Sequence, residues 1–491
     1  MKKTTPFLTG FSTNLFGSAK RSAQDIIARK RQSLIDGTLD LQQQFIEEIP
    51  PELLAAHSGT KRNRHYPDHL TFWAFFSQVA NDDASCAAAV ARVQAWAEAR
   101  GLPVPSENTG AYCQARADLP VSMLRAVNDS LYSQLDAQLP RQGHWRGLRP
   151  RAEDGTSVQM PDTPANREKY PYPHGQDAGC GFPVVKLNGL IDLSHGGLRE
   201  FASSDVNTGE LSKHDELEDN LQLGDVFIGD RLYSGYEQIV RLQRRGVHFI
   251  GRTHGARKID FRRGKKIGPD ERLVVWEKSR YKPKGSDLSE EEWEALPEAI
   301  TVRLIRCQGP DREGRQKTRY IATTLLDPKA YPAEEVASLY LHRWEIEVRF
   351  RDIKTTLGME MLRTKHPEMV EKELLMHQIV YNLMRLIMLK AASDHGVNHR
   401  RLSFRGVQQV VLAFVDNFRD MAKRPILRMR QRAKMWLHLI ERTVTERPGR
   451  NEPRRVKRRP KCTRWLQKPR HEYFEHFRSE NPPMKILDNP A

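Results

Sequence analysis

The chain reads as an α/β protein, preceded by an all-helical domain and followed by helices and a basic tail. Three observations predict this class. Residues 1–145 carry apolar side chains at three- and four-residue steps, the period of a helix with one buried face. Residues 146–252 change to short β-like runs divided by turn residues, and helical spacing returns from about 333 to 392. A chain of 491 residues fits two or three domains. The expected division is 1–145, then 146–392 with a β-rich insertion at about 255–318, then 393–491.

In the first segment, HLTFWAFFSQVA and ASCAAAVARVQAWAEARG read as helices, the second ended by Gly101-Leu102-Pro103. Ser106 is placed to cap a third, SENTGAYCQARADL, before Pro120. Short helices joined by a tight Gly/Pro turn can form a helix-turn-helix reader of DNA, or simply a small bundle. In the second segment, FPVVKLNGLIDL, LREFASSDV, DVFIGD and VHFIGR read as strands, with GYEQIVRLQRRG as a helix between the last two. The polar stretch 255–318 contains two further strand-like runs, LVVWEKS and ITVRLIRC, and YIATTLL follows as the last strand before Pro332.

Charge narrows the function. Lys and Arg exceed Asp and Glu by +17, which favours a polyanionic partner through counterion release, with nucleic acid first. The excess is concentrated at 450–470, where ten residues are Lys or Arg and Glu452 alone is acidic. That run is a solvated tail or a phosphate-binding arm. No stretch approaches 18 consecutive apolar residues, and TTPFLTGFSTNLFG is too polar for a signal peptide, so the expectation is a cytoplasmic protein with no membrane partner. Five scattered cysteines and no HxxxH pair argue against zinc and disulfides. Any metal is then expected on carboxylates, which suit magnesium or manganese.

The chemistry concentrates in YLHRWEIEVRFRDIK, residues 340–354. At about 100° per residue, Tyr340, Arg343, Glu347 and Lys354 fall on one stripe, and Glu345 points nearly the opposite way. One carboxylate flanked by cations and a phenol suits a metal ligand among phosphate-holding groups. The same spacing also fits a solvated face with i,i+4 ion pairs. Two upstream carboxylates break the tie. Asp230 ends the strand GDVFIG, and Asp154 precedes Gly155 in EDGTSVQ, where a Gly turn is expected. Two aspartates and a later glutamate form a cation-binding set capable of in-line phosphoryl transfer with two metals about 3.5–4 Å apart.

On these residues the chain resembles the DDE transposases of bacterial insertion sequences, insertion-sequence family four. Tyr340, Arg343, Glu347 and Lys354 satisfy every spacing of its Y-x2-R-x3-E-x6-K signature. Asp154 in DGT and Asp230 in GDR match its two aspartates, and the likeness runs from about 145 to 390 through PDTPAN and KTTLGME. The resemblance implies a ribonuclease-H-like catalytic core with a β-rich insertion. It implies cleavage of mobile-element ends and strand transfer into target DNA, with magnesium or manganese on Asp154, Asp230 and Glu347. Tyr340, Arg343 and Lys354 would hold DNA phosphates, and Trp276 (Trp293 in reserve) would receive a flipped base in a hairpin intermediate. The partners implied are terminal inverted repeats, target DNA and a second copy of the chain in the synaptic complex. One departure stands out: the strand before Asp154, usually apolar, here reads RGLRPRAED. It keeps open a catalytically inactive DNA-binding relative; the other alternative is a ribonuclease-H-like nuclease without strand transfer.

Overall fold

The computed structural model describes residues 40–59, 65–139, 144–310, 315–445, 466–469 and 472, apart from 178, 210–212, 256, 284, 287, 420 and 422–423. The basic stretch 450–465 and the first 39 residues lie outside this set. Helices α1 (Pro51–Ala56), α2 (Asp68–Ala80), α3 (Cys86–Ala99), α4 (Gly110–Asp118) and α5 (Val121–Gln138) come first. Strand β1 (Arg149–Gln159), helix α6 (Pro164–Lys169), strands β2 (Val184–Asp192) and β3 (Leu198–Asp205) and helix α7 (His214–Glu218) follow. Next come β4 (Asp225–Gly229), α8 (Tyr236–Arg244), β5 (His248–Arg252), β6 (Lys265–Gly268) and β7 (Glu271–Glu277). Helix α9 (Glu290–Glu294), strands β8 (Ala299–Pro310) and β9 (Gln316–Thr323), and helices α10 (Ala333–Leu341) and α11 (Glu345–Arg351) lead to α12 (Glu368–Asp394), α13 (Phe404–Ala413) and α14 (Pro425–Ile440).

Two compact units result. One joins residues up to Gln134 with Leu375–Val444; the other joins Leu135–Leu374 with the last residues. The first draws on two distant parts of the chain because α2 is buried on nearly every side. Phe72, Trp73, Phe75 and Phe76 are all buried, so this helix must be surrounded. C-terminal helices help supply the cover: Gln408 of α13 donates to the Ala80 carbonyl at 2.7 Å, and Arg432 of α14 pairs with buried Glu48 at 2.9 Å. Helix α4 starts at Gly110, four residues beyond the expected Ser106 cap, with Asn108 accepting from the Gly110 N–H at 2.8 Å. Its arginine, Arg116, is buried under the Phe75 ring, and its exposed face carries Ala111, Gln114, Ala117 and Asp118.

Among the described residues the second unit holds a nine-stranded sheet in the order β3-β2-β1-β4-β5-β9-β8-β7-β6. Strands β1, β4 and β5 are parallel, whereas β2 pairs antiparallel with β1 and β3 antiparallel with β2. This mixed five-strand core, with α8 crossing between β4 and β5, fits a ribonuclease-H-like fold. The insertion is an antiparallel meander that continues the core sheet: β9 pairs with β5 on one side and β8 on the other. YIATTLL therefore belongs to the insertion, which reaches past 318.

The polar start of β1 has a physical explanation. Pro150 is the second residue of the strand, where proline is tolerated, and its carbonyl accepts from Leu193 N–H at 2.9 Å. Arg151 is 2% exposed and pairs with Asp192 at 3.2 Å and Asp225 at 3.6 Å; Arg149 pairs with Asp136 and Asp225 at 3.0 and 3.1 Å. Each buried guanidinium thus meets carboxylates. An apolar strand is replaced by a compensated ionic one, and the β-structure survives. Among the described residues no helix is long and apolar enough to cross a membrane, and Cys86, Cys113, Cys180 and Cys307 form no disulfide.

Candidate active site

Sheet register brings the two aspartates together. Strand β1 pairs with β4 from Arg149↔Asp225 to Ala152↔Ile228. Carried two residues further, the register sets Asp154 level with Asp230. Neighbouring strands lie about 4.8 Å apart, and level residues of parallel strands project from the same face. Asp154 is inside β1, not before a turn as expected: Gly155 continues the strand opposite Asn188. Asp230 follows the last residue of β4 and caps a short helical turn, its Oδ1 accepting from Leu232 N–H at 2.6 Å.

Glu347 comes from α11. The helical segment expected from about 333 to 392 is jointed. A tight three-residue turn, His342–Trp344, separates α10 from α11; a widened π turn, Asp352–Thr356, follows α11; and Gly358 at φ +74° ends the run. Tight and wide turns shift the angle per residue in opposite senses, which keeps the 340–354 stripe on one side despite the joints. The π turn carries Lys354, whose Nζ lies 3.3 Å from Thr156 Oγ1 on β1. Arg343 Nη1 reaches Asp154 Oδ2 at 3.1 Å. Glu345 faces elsewhere, accepting from His342 at 2.7 Å and Arg349 at 3.2 Å.

Glycine sets how closely the helix approaches. Gly189 on β2 pairs directly with Asp154, and a Cβ built there would lie 2.9 Å from the Phe350 ring of α11. Glu347 is one turn before Phe350. The segment after the π turn is clamped to β1: Gln159 N–H donates to the Glu360 carbonyl at 3.0 Å and Leu362 N–H to the Gln159 carbonyl at 2.8 Å. In the PDTPAN segment, Thr163 donates to the Lys365 carbonyl at 2.8 Å and Asn166 to the Thr364 carbonyl at 3.1 Å. Both sequence motifs thus brace the signature helix.

The electrostatics match three converging carboxylates. Burial pushes the Asp154 carboxyl above its ordinary range; Arg343 and the Gly155 N–H oppose this, while Asp230 and Glu347 add to it as like charges. Tyr340 is raised mainly by burial, with Arg343 and Arg252 pulling the other way. Arg252 was not among the residues singled out from the sequence. It ends β5, and the β4–β5 register (Gly229↔Gly251) sets it level with Asp230. The signal was present: VHFIGR ends in its charged residue as DVFIGD does. Trp276 sits in the insertion, 5% exposed, with the Arg257 guanidinium 3.9 Å over its ring; Trp293 is 3% exposed.

Asp154, Asp230 and Glu347 offer only hard oxygen donors, crowd one another electrostatically and face a cation already paired to Asp154. That set fits a divalent ion of the magnesium type. Among the described residues, the group whose ligand atoms all lie within 4.8 Å of one another is a different one: Asp136, Asp192 and His195. Arg149 and Arg151 already pair with those two aspartates, so that cluster is compensated as an ionic brace under β1.

Residues 145–383 match the family model for the transposase DDE domain. Transposase InsG for insertion sequence element IS4, from Escherichia coli strain K12, is 28% identical over 368 residues, covering 72% of this chain and 79% of that protein. Through the segment that carries the signature on a jointed helix and the two level aspartates, the chain is similar to DDE transposases of the insertion-sequence family-four type, enzymes of DNA transposition.

Proposed function

We propose that the protein cuts a mobile element at its ends and joins those ends to target DNA, a cut-and-paste reaction in the cytoplasm carried out by a homodimer that holds two ends together. The observation that carries this reading is the common level of Asp154 and Asp230 under the face approached by Glu347. Asp154, Asp230 and Glu347 would hold the divalent ions, magnesium or manganese, and bound ions supply Lewis-acid stabilisation and an activated attacking oxygen. Arg343, Lys354 and Tyr340 bind phosphates beside the scissile bond, fixing its orientation for in-line attack. Arg343 moves from Asp154 toward phosphate as DNA enters. A flipped base on Trp276 would require Arg257 to leave the ring face. The helical N-terminal residues and the basic tail contribute DNA binding.

The test is a strand-transfer assay with a duplex carrying the element's terminal inverted repeat, a supercoiled target and magnesium. Joined products support the reading. Cleavage alone would make the protein a nuclease, and binding alone an inactive relative.

A further inference from the structure

Directly behind Asp154, on the opposite face of the sheet, lies a buried polar cluster that the chemistry above does not use. Glu153 is fully buried, and its carboxylate takes three partners from three different elements. Asn188 Nδ2 of β2 donates to it at 3.0 Å, the Tyr233 hydroxyl at 3.0 Å and His214 Nδ1 of α7 lies at 2.6 Å. His214 Nε2 continues to Glu218 at 3.1 Å, and Glu218 pairs with Arg241 of α8 at 2.8 Å.

The positions of these partners matter more than their number. Glu153 immediately precedes Asp154, and Asn188 immediately precedes Gly189, which faces Asp154. Tyr233 closes the helical turn that Asp230 caps. One carboxylate therefore ties together the backbone segments that carry both aspartates and the glycine between them and the signature helix. The ring of Tyr233 also packs against Phe227 and His214, with centroids 5.5 and 5.1 Å away, so the turn is held by shape as well as by its hydroxyl.

We infer that Glu153, Tyr233 and His214 form a positioning clasp that sets the spacing of Asp154 and Asp230 from behind the sheet. The clasp touches neither DNA nor metal. A site needs its ligands held to within about 0.5 Å, and a buried carboxylate bonded to groups on three separate elements supplies that rigidity. This rests on the assignment of Asp154 and Asp230 as metal ligands, and the experiment separates the two ideas.

Tyr233→Phe removes one hydroxyl and keeps the ring; Glu153→Gln removes the charge and keeps the shape. In the full-length protein, three quantities are measured: the unfolding midpoint in chelator, the affinity for Mn2+ alone by calorimetric titration, and the nicking rate of an end-containing duplex at saturating Mn2+. Tyr233→Phe is expected to unfold within a few degrees of wild type, to bind Mn2+ at least about threefold more weakly and to nick about tenfold more slowly. Glu153→Gln is expected to lose more on both counts, and if it does not fold, Tyr233→Phe decides alone. A folded Tyr233→Phe protein with wild-type Mn2+ affinity and nicking overturns the clasp. Asp154→Asn is the control: if it too retains Mn2+ binding and nicking, the metal-ligand assignment has failed instead.

Discussion

Gly189 provides a direct measure of how tightly the signature helix must sit on the sheet. In Gly189→Ala the new Cβ would lie 2.9 and 3.0 Å from Phe350 and 3.1 Å from Phe201. Relaxed carbon contacts are about 3.5–4.0 Å, so the Phe350 ring must withdraw by roughly 0.5–1 Å. Phe350 is 5% exposed and cannot swing into solvent, so much of this displacement passes to α11 and hence to Glu347. A misplacement of about 1 Å in a reacting constellation can cost on the order of 100-fold. We therefore expect nicking of an end-containing duplex to fall about 10- to 100-fold while DNA binding in chelator stays within about twofold. Stability gives a second reading with a defined sign. On an open strand, Ala would exceed Gly by about 0.5–1 kcal/mol, whereas overpacking here should cost about 1–3 kcal/mol. Adding Phe350→Leu removes the clashing ring atoms and should restore part of both losses. A folded Gly189→Ala protein that nicks at the wild-type rate would refute the close-approach argument.

Glu347→Gln should abolish cleavage in magnesium with DNA binding intact, while Glu345→Gln, which weakens pairs to His342 and Arg349, should cost no more than about 1 kcal/mol of stability and cleave normally. Arg252→Ala should leave the urea midpoint unchanged and slow nicking at least about tenfold, as loss of a phosphate-binding cation would; an unchanged rate removes Arg252 from the site. His214 supplies a pH prediction. Burial works against its charged ring, but Glu153 and Glu218 override this and raise its pKa from 6.5 to about 9. A raised folded pKa means stabilisation fully present below about pH 6.5 and lost as pH rises through about 9, on the order of 3 kcal/mol. The urea midpoints of wild type and His214→Gln should therefore converge by pH 9.5, and parallel curves would contradict it. Trp276→Ala, opening a cavity under Arg257, should lower stability by about 3–5 kcal/mol; selective loss of hairpin formation with nicking preserved would instead assign Trp276 the base-receiving role.

Much of this protein was legible along the chain because the relevant signals are local. The β-runs 184–192, 198–205, 225–229 and 248–252 alternate or cluster apolar residues over a few positions, and Tyr340, Arg343, Glu347 and Lys354 sit at set intervals along one jointed helical run. Such patterns depend on backbone periodicity, which each segment carries by itself. Pairings between distant segments were not legible. RGLRPRAED looked wrong for a core strand because its compensation comes from Asp136, Asp192 and Asp225, up to 76 residues away in sequence. Asp154 seemed to precede a turn because Gly155 has no side chain to vote for a strand; hydrogen bonding to β2 decided the matter. The helical unit needed distant parts of the chain, since an α2 rich in large apolar residues states that it must be covered but not by what. Arg252 became a site residue, and Gly189 a spacer, only when register set one beside Asp230 and the other opposite Asp154. Periodicity is a property of one segment, whereas register and burial belong to pairs of segments, and only the folded chain chooses the pairs.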